Sequence, residues 1–171
     1  MAVERHHHHI AGVRQPSAQM CFVCGVANIA GLRIRFYTTA KDVVEAVVSL
    51  SDEYQGYPGI AHGGIIATIL DETMGRAAIS PENPNRLLFT GKMEVRYRQS
   101  VPLHTPIHFR GWIVKDRGRV VVAQGEAVLP DGTVAVETTG TMMAIPDQQL
   151  NEMNTPEVGW RVYEDHEYPD I

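Results

Sequence analysis

Between residues 92 and 98 the chain alternates. Met93, Val95 and Tyr97 are apolar, and Lys92, Glu94, Arg96 and Arg98 between them are charged. A period of two is that of a strand with one wet face. Similar reading predicts strands over 107–115, 119–129 and 133–145, joined by turns at Lys115–Arg119 and Pro130–Gly132. Gly118 and Gly132 supply the positive φ that tight hairpin loops favour. Upstream, 32–39 and the valine-rich 43–50 read as two more strands, and Tyr54–Ala61, with two glycines and a proline, reads as loop. From Gly64 to Ala78 the pattern changes: Ile65, Ile66, Ala67, Ile69, Leu70, Met74, Ala77 and Ala78 cover nearly every side of a helix. Such a helix is expected to be buried, and Pro81 and Pro84 forbid its continuation. The predicted fold class is therefore α+β, an antiparallel sheet curled around one central helix.

The domain is expected over 20–146, after a flexible leader at 1–19 and before an acidic tail at 147–171. That tail holds Asp147, Glu152, Glu157, Glu164, Asp165, Glu167 and Asp170 against one Arg161, and is expected to be solvated or to pack through Trp160 and Tyr163. The run His6–His9 reads as an irrelevant tail rather than a metal-binding tract.

Composition narrows the class. With 171 residues, 44% hydrophobic and 20% charged, the chain can bury one ordinary core. A net charge of -5 argues against a nucleic-acid partner, because phosphate binding needs a basic stripe. No run approaches a membrane span or a signal peptide. Two cysteines, Cys21 and Cys24, leave no disulfide framework, so a reduced, cytoplasmic setting is expected. A zinc site wants four ligands and no second Cys pair exists, so Cys21-x-x-Cys24 is expected to be a packed N-terminal strap.

The chemistry centres on His62-Gly63-Gly64 and Asp71. Two glycines at a helix start leave backbone N–H groups open to a ligand, and the helix dipole adds partial positive charge. Those are the parts of an oxyanion hole, although glycines there also serve tight turns and close packing. Asp71 sits in sequence among Ile69, Leu70 and Met74, where desolvation is expected to raise its pKa and improve it as a base. Glu72 is the weaker candidate, expected to reach solvent or a salt bridge. Seven residues separate Gly64 from Asp71, roughly 10 Å along a helix axis. One carbonyl cannot easily touch both, so a shared site is expected, the acid from one subunit and the amide from its neighbour.

Residues 21–145 resemble the hotdog-fold acyl-CoA thioesterases of the phenylacetate-degradation type. The resemblance rests on Cys21-Phe-Val-Cys-Gly25, Asn28, Gly31-Leu32, Tyr54-Gln-Gly-Tyr-Pro-Gly59, His62-Gly-Gly64 with Asp71, Thr90, Tyr97-Arg98 and Val101-Pro-Leu103. It implies a homodimer or dimer of dimers acting on an acyl-CoA. Asp71 corresponds to the family's general base or nucleophile, Gly64 to its oxyanion amide, and Thr90 to a residue orienting water or base. The resemblance makes His62 a loop-shaping and substrate-binding residue, with Gly63 beside it, and puts Asn28 near the thioester. Asn28-Ile29 departs from the family's Asn-Pro. Arg96 and Arg98 either hold CoA phosphates or form an ordinary solvated face. A thiolate leaves easily, so one carboxylate, one water and one oxyanion donor suffice, and no cofactor or metal is required. Two alternatives stay open: a non-catalytic acyl-CoA-binding protein, and a hotdog dehydratase. The dehydratase ranks last because His62 is nine residues, half a turn out of phase, from Asp71.

Overall fold

The computed structural model describes residues 10–153 and 155–168; His6–His9 and Asp170 lie outside them. Seven strands and two helices follow in the order β1 (Val13–Arg14), β2 (Tyr37–Ala40), β3 (Val43–Val48), α1 (Gly63–Arg76), β4 (Leu88–Tyr97), β5 (Ile107–Asp116), β6 (Val120–Val128), β7 (Val134–Ala144) and α2 (Asp147–Met153). All strands join one antiparallel sheet in the order β1-β2-β3-β5-β6-β7-β4, which leaves β4 as an edge. Among the described residues no helix is long and apolar enough to cross a membrane.

The long strands follow the alternation. In β6, Val121, Ala123, Gly125 and Ala127 point inward while their neighbours do not. Gly118 and Gly132 have φ of 73° and 86°, as the two turns require. The sheet curls over α1, whose Ile66, Ile69, Leu70 and Met74 pack with Phe36, Val44, Ile107, Phe109 and Met142 in the core. Glycine makes the close approach possible. A Cβ on Gly111 of β5 lies 2.7 Å from the Thr73 carbonyl oxygen, so α1 sits nearly on the β5 backbone.

Two expectations are corrected. The segment 32–39 is not one strand: only Tyr37–Ala40 joins the sheet at that end. Arg33 has φ of 54°, which breaks the extended run, while Leu32 and Ile34 donate from their amides to the Phe22 and Val23 carbonyls. The residues stay buried, but against the N-terminal strap. Residues 10–19, expected as leader, are packed rather than loose. Val13–Arg14 pairs with β2, and Gln15 and Ser17 are buried. Ser17 exchanges backbone hydrogen bonds with Arg161, and Tyr163 and Tyr168 are buried nearby, so the two chain ends brace each other. The acidic side chains of the tail remain mostly at the surface.

Candidate active site

The start of α1 is set by His62. Its φ of -63° and ψ of 130° are extended, and its Nδ1 accepts from the Gly64 amide at 3.0 Å, an N-cap made by an imidazole. This corrects the expectation of a bare Gly64 amide. The Gly63 amide, by contrast, has no hydrogen-bond partner among the described residues, while its carbonyl accepts from the Tyr97 hydroxyl at 2.7 Å. Tyr97 thereby ties the edge strand β4 to the helix start. That contact was invisible in sequence, where Tyr97 read as an apolar alternation position and as part of the resemblance, with no role assigned.

Asp71 lies further along α1. Ile69, Leu70 and Met74 are fully buried, yet the Asp71 side chain leaves the core on another side and is half-buried. The expected desolvation among those three neighbours is therefore not found within one chain. Thr90 Oγ1 donates to Asp71 Oδ1 at 2.6 Å, so the structure brings these two residues together. Gly64, Thr68, Asp71 and Gly75 run as one stripe along α1 that the sheet covers only in part, the side left by a helix that is otherwise largely buried, as expected. Glu72 makes the expected salt bridge, to Arg76 Nε at 2.8 Å.

A cavity of about 330 Å³ opens beside the helix start, lined by Tyr57, Ile60, Gly63, Ile66, Tyr97 and Arg98 among others. A larger one, about 650 Å³, lies between residues 83–87 and the tail and holds none of the expected site residues; the chemistry favours the smaller. Arg98 on its rim pairs with Glu137 at 2.8 Å. Arg96 is exposed and makes no ion pair among the described residues. Asn28 is committed locally. Its Oδ1 accepts from the Ala30 amide at 3.0 Å and its Nδ2 donates to the Met20 carbonyl at 3.1 Å, so the side chain braces its loop rather than reaching toward Asp71.

The Cys pair packs as a strap: Cys24 is fully buried in the core and Cys21 half-buried, both free. The hydrogen bond between them lowers the Cys21 thiol to about 7 and, with burial, pushes Cys24 well above its ordinary value.

Residues 58–136 match the sequence profile of the thioesterase superfamily. Among curated proteins, acyl-coenzyme A thioesterase THEM4 of Mus musculus is 37% identical over 92 residues, covering 52% of this chain and 38% of that protein. The Rattus norvegicus protein of the same name is 31% identical over 84 residues, covering 49% and 35%. The chain therefore spans little more than a third of the length of these relatives. A crystal structure of a thioesterase superfamily protein aligns with TM-score 0.61 and 28% identity over 68% of this chain and 56% of that one. A Streptococcus mutans protein bound to acetyl CoA aligns with TM-score 0.59 and 21% identity, over 66% and 88%. The E. coli PaaI protein from the phenylacetic acid degradation operon aligns with TM-score 0.60 and 10% identity, over 67% and 81%; these last two are likenesses of fold. Residues 58–136 are thus similar to the thioesterase superfamily, and the aligned structures show the hotdog fold.

Proposed function

We propose that this chain hydrolyses an acyl-CoA thioester to the free acid and CoA. The observation that carries the reading is the Asp71 carboxylate, held by Thr90 on the partly covered stripe of α1 in a domain similar to the thioesterase superfamily. In this reading Asp71 takes a proton from the attacking water, or attacks the carbonyl itself. The oxyanion donor moves from Gly64 to Gly63, because His62 occupies the Gly64 amide while the Gly63 amide is free and lines a cavity. Eight residues separate Gly63 from Asp71, roughly 12 Å along the axis. The scissile carbonyl therefore lies between two copies of the chain, with Asp71 from one and Gly63 from the other, in a homodimer or dimer of dimers. The partly covered stripe of α1 and the edge strand β4 offer the surface for that second copy. CoA as the leaving half is supported by the name of the THEM4 relatives and by the acetyl CoA in the Streptococcus mutans structure. Arg98, a cation on the cavity rim paired with Glu137, is the residue this reading assigns to its phosphates. A cytoplasmic setting belongs to the same reading and is supported by the two free thiols. A dehydratase is disfavoured because the His62 Nδ1 is engaged in capping.

Thiol release from an acyl-CoA panel tests this. The wild-type chain is expected to liberate CoA, and Asp71→Asn to lose most turnover while keeping its fold. Gly63→Pro removes the amide hydrogen at a position where proline suits a helix start, after a residue already extended; it too is expected to fold and lose turnover. Co-refolded, the two variants are expected to regain activity, since some mixed dimers hold one intact site. Tight acyl-CoA binding with no CoA release would instead indicate a non-catalytic binding protein, and wild-type turnover in Asp71→Asn would reject the mechanism.

A further inference from the structure

Cys21 Sγ, Cys24 Sγ and a carboxylate oxygen of Glu72 all lie within 4.8 Å of one another. The sulfurs come from the N-terminal strap and the carboxylate from α1, so only the fold brings them together. The strap turn is wound tightly. The Gly25 amide donates to the Cys21 carbonyl at 2.9 Å, and the Cys24 amide points at Cys21 Sγ at 3.5 Å. A Cβ on Gly25 falls 2.2 Å from the Cys21 carbonyl oxygen, so this turn accepts only glycine after the second cysteine. Beneath the cluster, Arg76 is 3% exposed. Its Nε holds Glu72 Oε1, its Nη1 donates to Gln15 Oε1 and the Pro16 carbonyl, and its Nη2 is buried without a hydrogen-bond partner among the described residues.

We propose that Cys21, Cys24 and Glu72 form a site for a divalent, thiophilic metal ion, zinc by chemistry, with a fourth position open to water. Two thiolates and a carboxylate are a donor set zinc accepts. Ligands around a tetrahedral zinc stand about 3.8 Å apart at Zn–S bonds of about 2.3 Å, so the observed spacing closes with small rotamer changes. Charge also balances. With metal bound, the dication, two thiolates, Glu72 and Arg76 sum to zero. Buried sites tolerate ions on that condition. The fourth position lies on the side of Cys21, the half-buried member. The site removes the objection raised by the missing second Cys pair, because Glu72 supplies the third ligand. Bound metal would rivet the strap to α1 at the residue after Asp71. Protons displaced from the thiols make affinity rise with pH.

The test is a cobalt and zinc titration of the full chain in which His6–His9 are replaced by alanine, so that the imidazole run contributes nothing. Expected are one metal per chain, a near-ultraviolet thiolate-to-cobalt charge-transfer band, slower thiol modification with zinc present, and a higher Tm. Cys21→Ser, at the half-buried position and so the safer variant to fold, is expected to lose the band. Glu72→Gln is expected to weaken binding by at least the roughly 10–100-fold that even outer-shell changes cost. Absence of the band in the parent chain, an unchanged affinity in Glu72→Gln, or a Cys21–Cys24 disulfide forming despite excess zinc would overturn the proposal.

Discussion

Thr90 Oγ1 donates a 2.6 Å hydrogen bond to Asp71 Oδ1, joining the edge strand to the middle of the central helix. The bond fixes one carboxylate oxygen and, in the proposed mechanism, leaves the other to act on the thioester. Thr90→Val keeps the shape and removes the donor. Hydrogen bonds to charged groups are worth about 1.5–3 kcal/mol, so a drop in kcat of roughly ten- to a hundredfold is expected, with KM little changed. Steady-state thiol-release kinetics check it; an unaltered kcat would mean that Thr90 does not position Asp71.

His62 acts as a cap, which separates its role from that of a base. His62→Ala is expected to lower stability by about 1 kcal/mol through loss of the Gly64 contact, and His62→Asn to recover most of it, because asparagine caps well. Turnover is expected to follow stability in the same order. If asparagine restores the melting temperature but turnover stays lost, the imidazole has a chemical task.

Gly111 marks where helix and sheet backbones nearly touch. Gly111→Ala drives a Cβ to 2.7 Å from the Thr73 carbonyl oxygen, and backbone must shift to admit it. A loss of about 1–3 kcal/mol is expected from such overpacking. Gly125→Ala, whose nearest neighbours are at 3.2 Å, is expected to cost less. Urea unfolding of the pair measures the difference, and equal stabilities would contradict the close approach.

Arg86 grips Asp116 with two nitrogens, at 2.5 and 2.8 Å, and so lowers the Asp116 pKa. A depressed folded-state pKa means stability that is present above the ordinary carboxylate value and lost as pH falls through the depressed one. Arg86→Gln is therefore expected to lower Tm at neutral pH, by an amount worth at most ~1 kcal/mol for so exposed a pair. The gap to wild type is expected to close in acid. Thermal melts across that range check the sign; a gap that widens in acid would refute it.

Much of the fold is local and was legible. The alternation in 119–129 and 133–145 and the glycines at Gly118 and Gly132 act over a few residues, and the strands and turns stand within a residue or so of their expected ends. The apolar run after His62 likewise gives α1. At the site, the residue types were legible but not their commitments. Thr90 came from resemblance, since nothing in spacing links it to Asp71. Side chains with local partners misled: His62 caps the very amide expected to be bare, and Asn28 braces its own loop.

The sequence by itself determined most of the strands, the central helix, and that two adjacent carboxylates, Asp71 and Glu72, and a glycine pair share it, because period, propensity and turn chemistry are properties of neighbours along the chain. Tertiary structure alone decided that Asp71 emerges on a partly covered side of α1 against Thr90, that Gly63 rather than Gly64 keeps a free amide, that Gln15 and Ser17 are buried, and that Glu72 meets Cys21 and Cys24. Those relations depend on how a curled sheet and a returning strap close over the helix, and contacts between residues far apart in sequence leave no periodic trace in it.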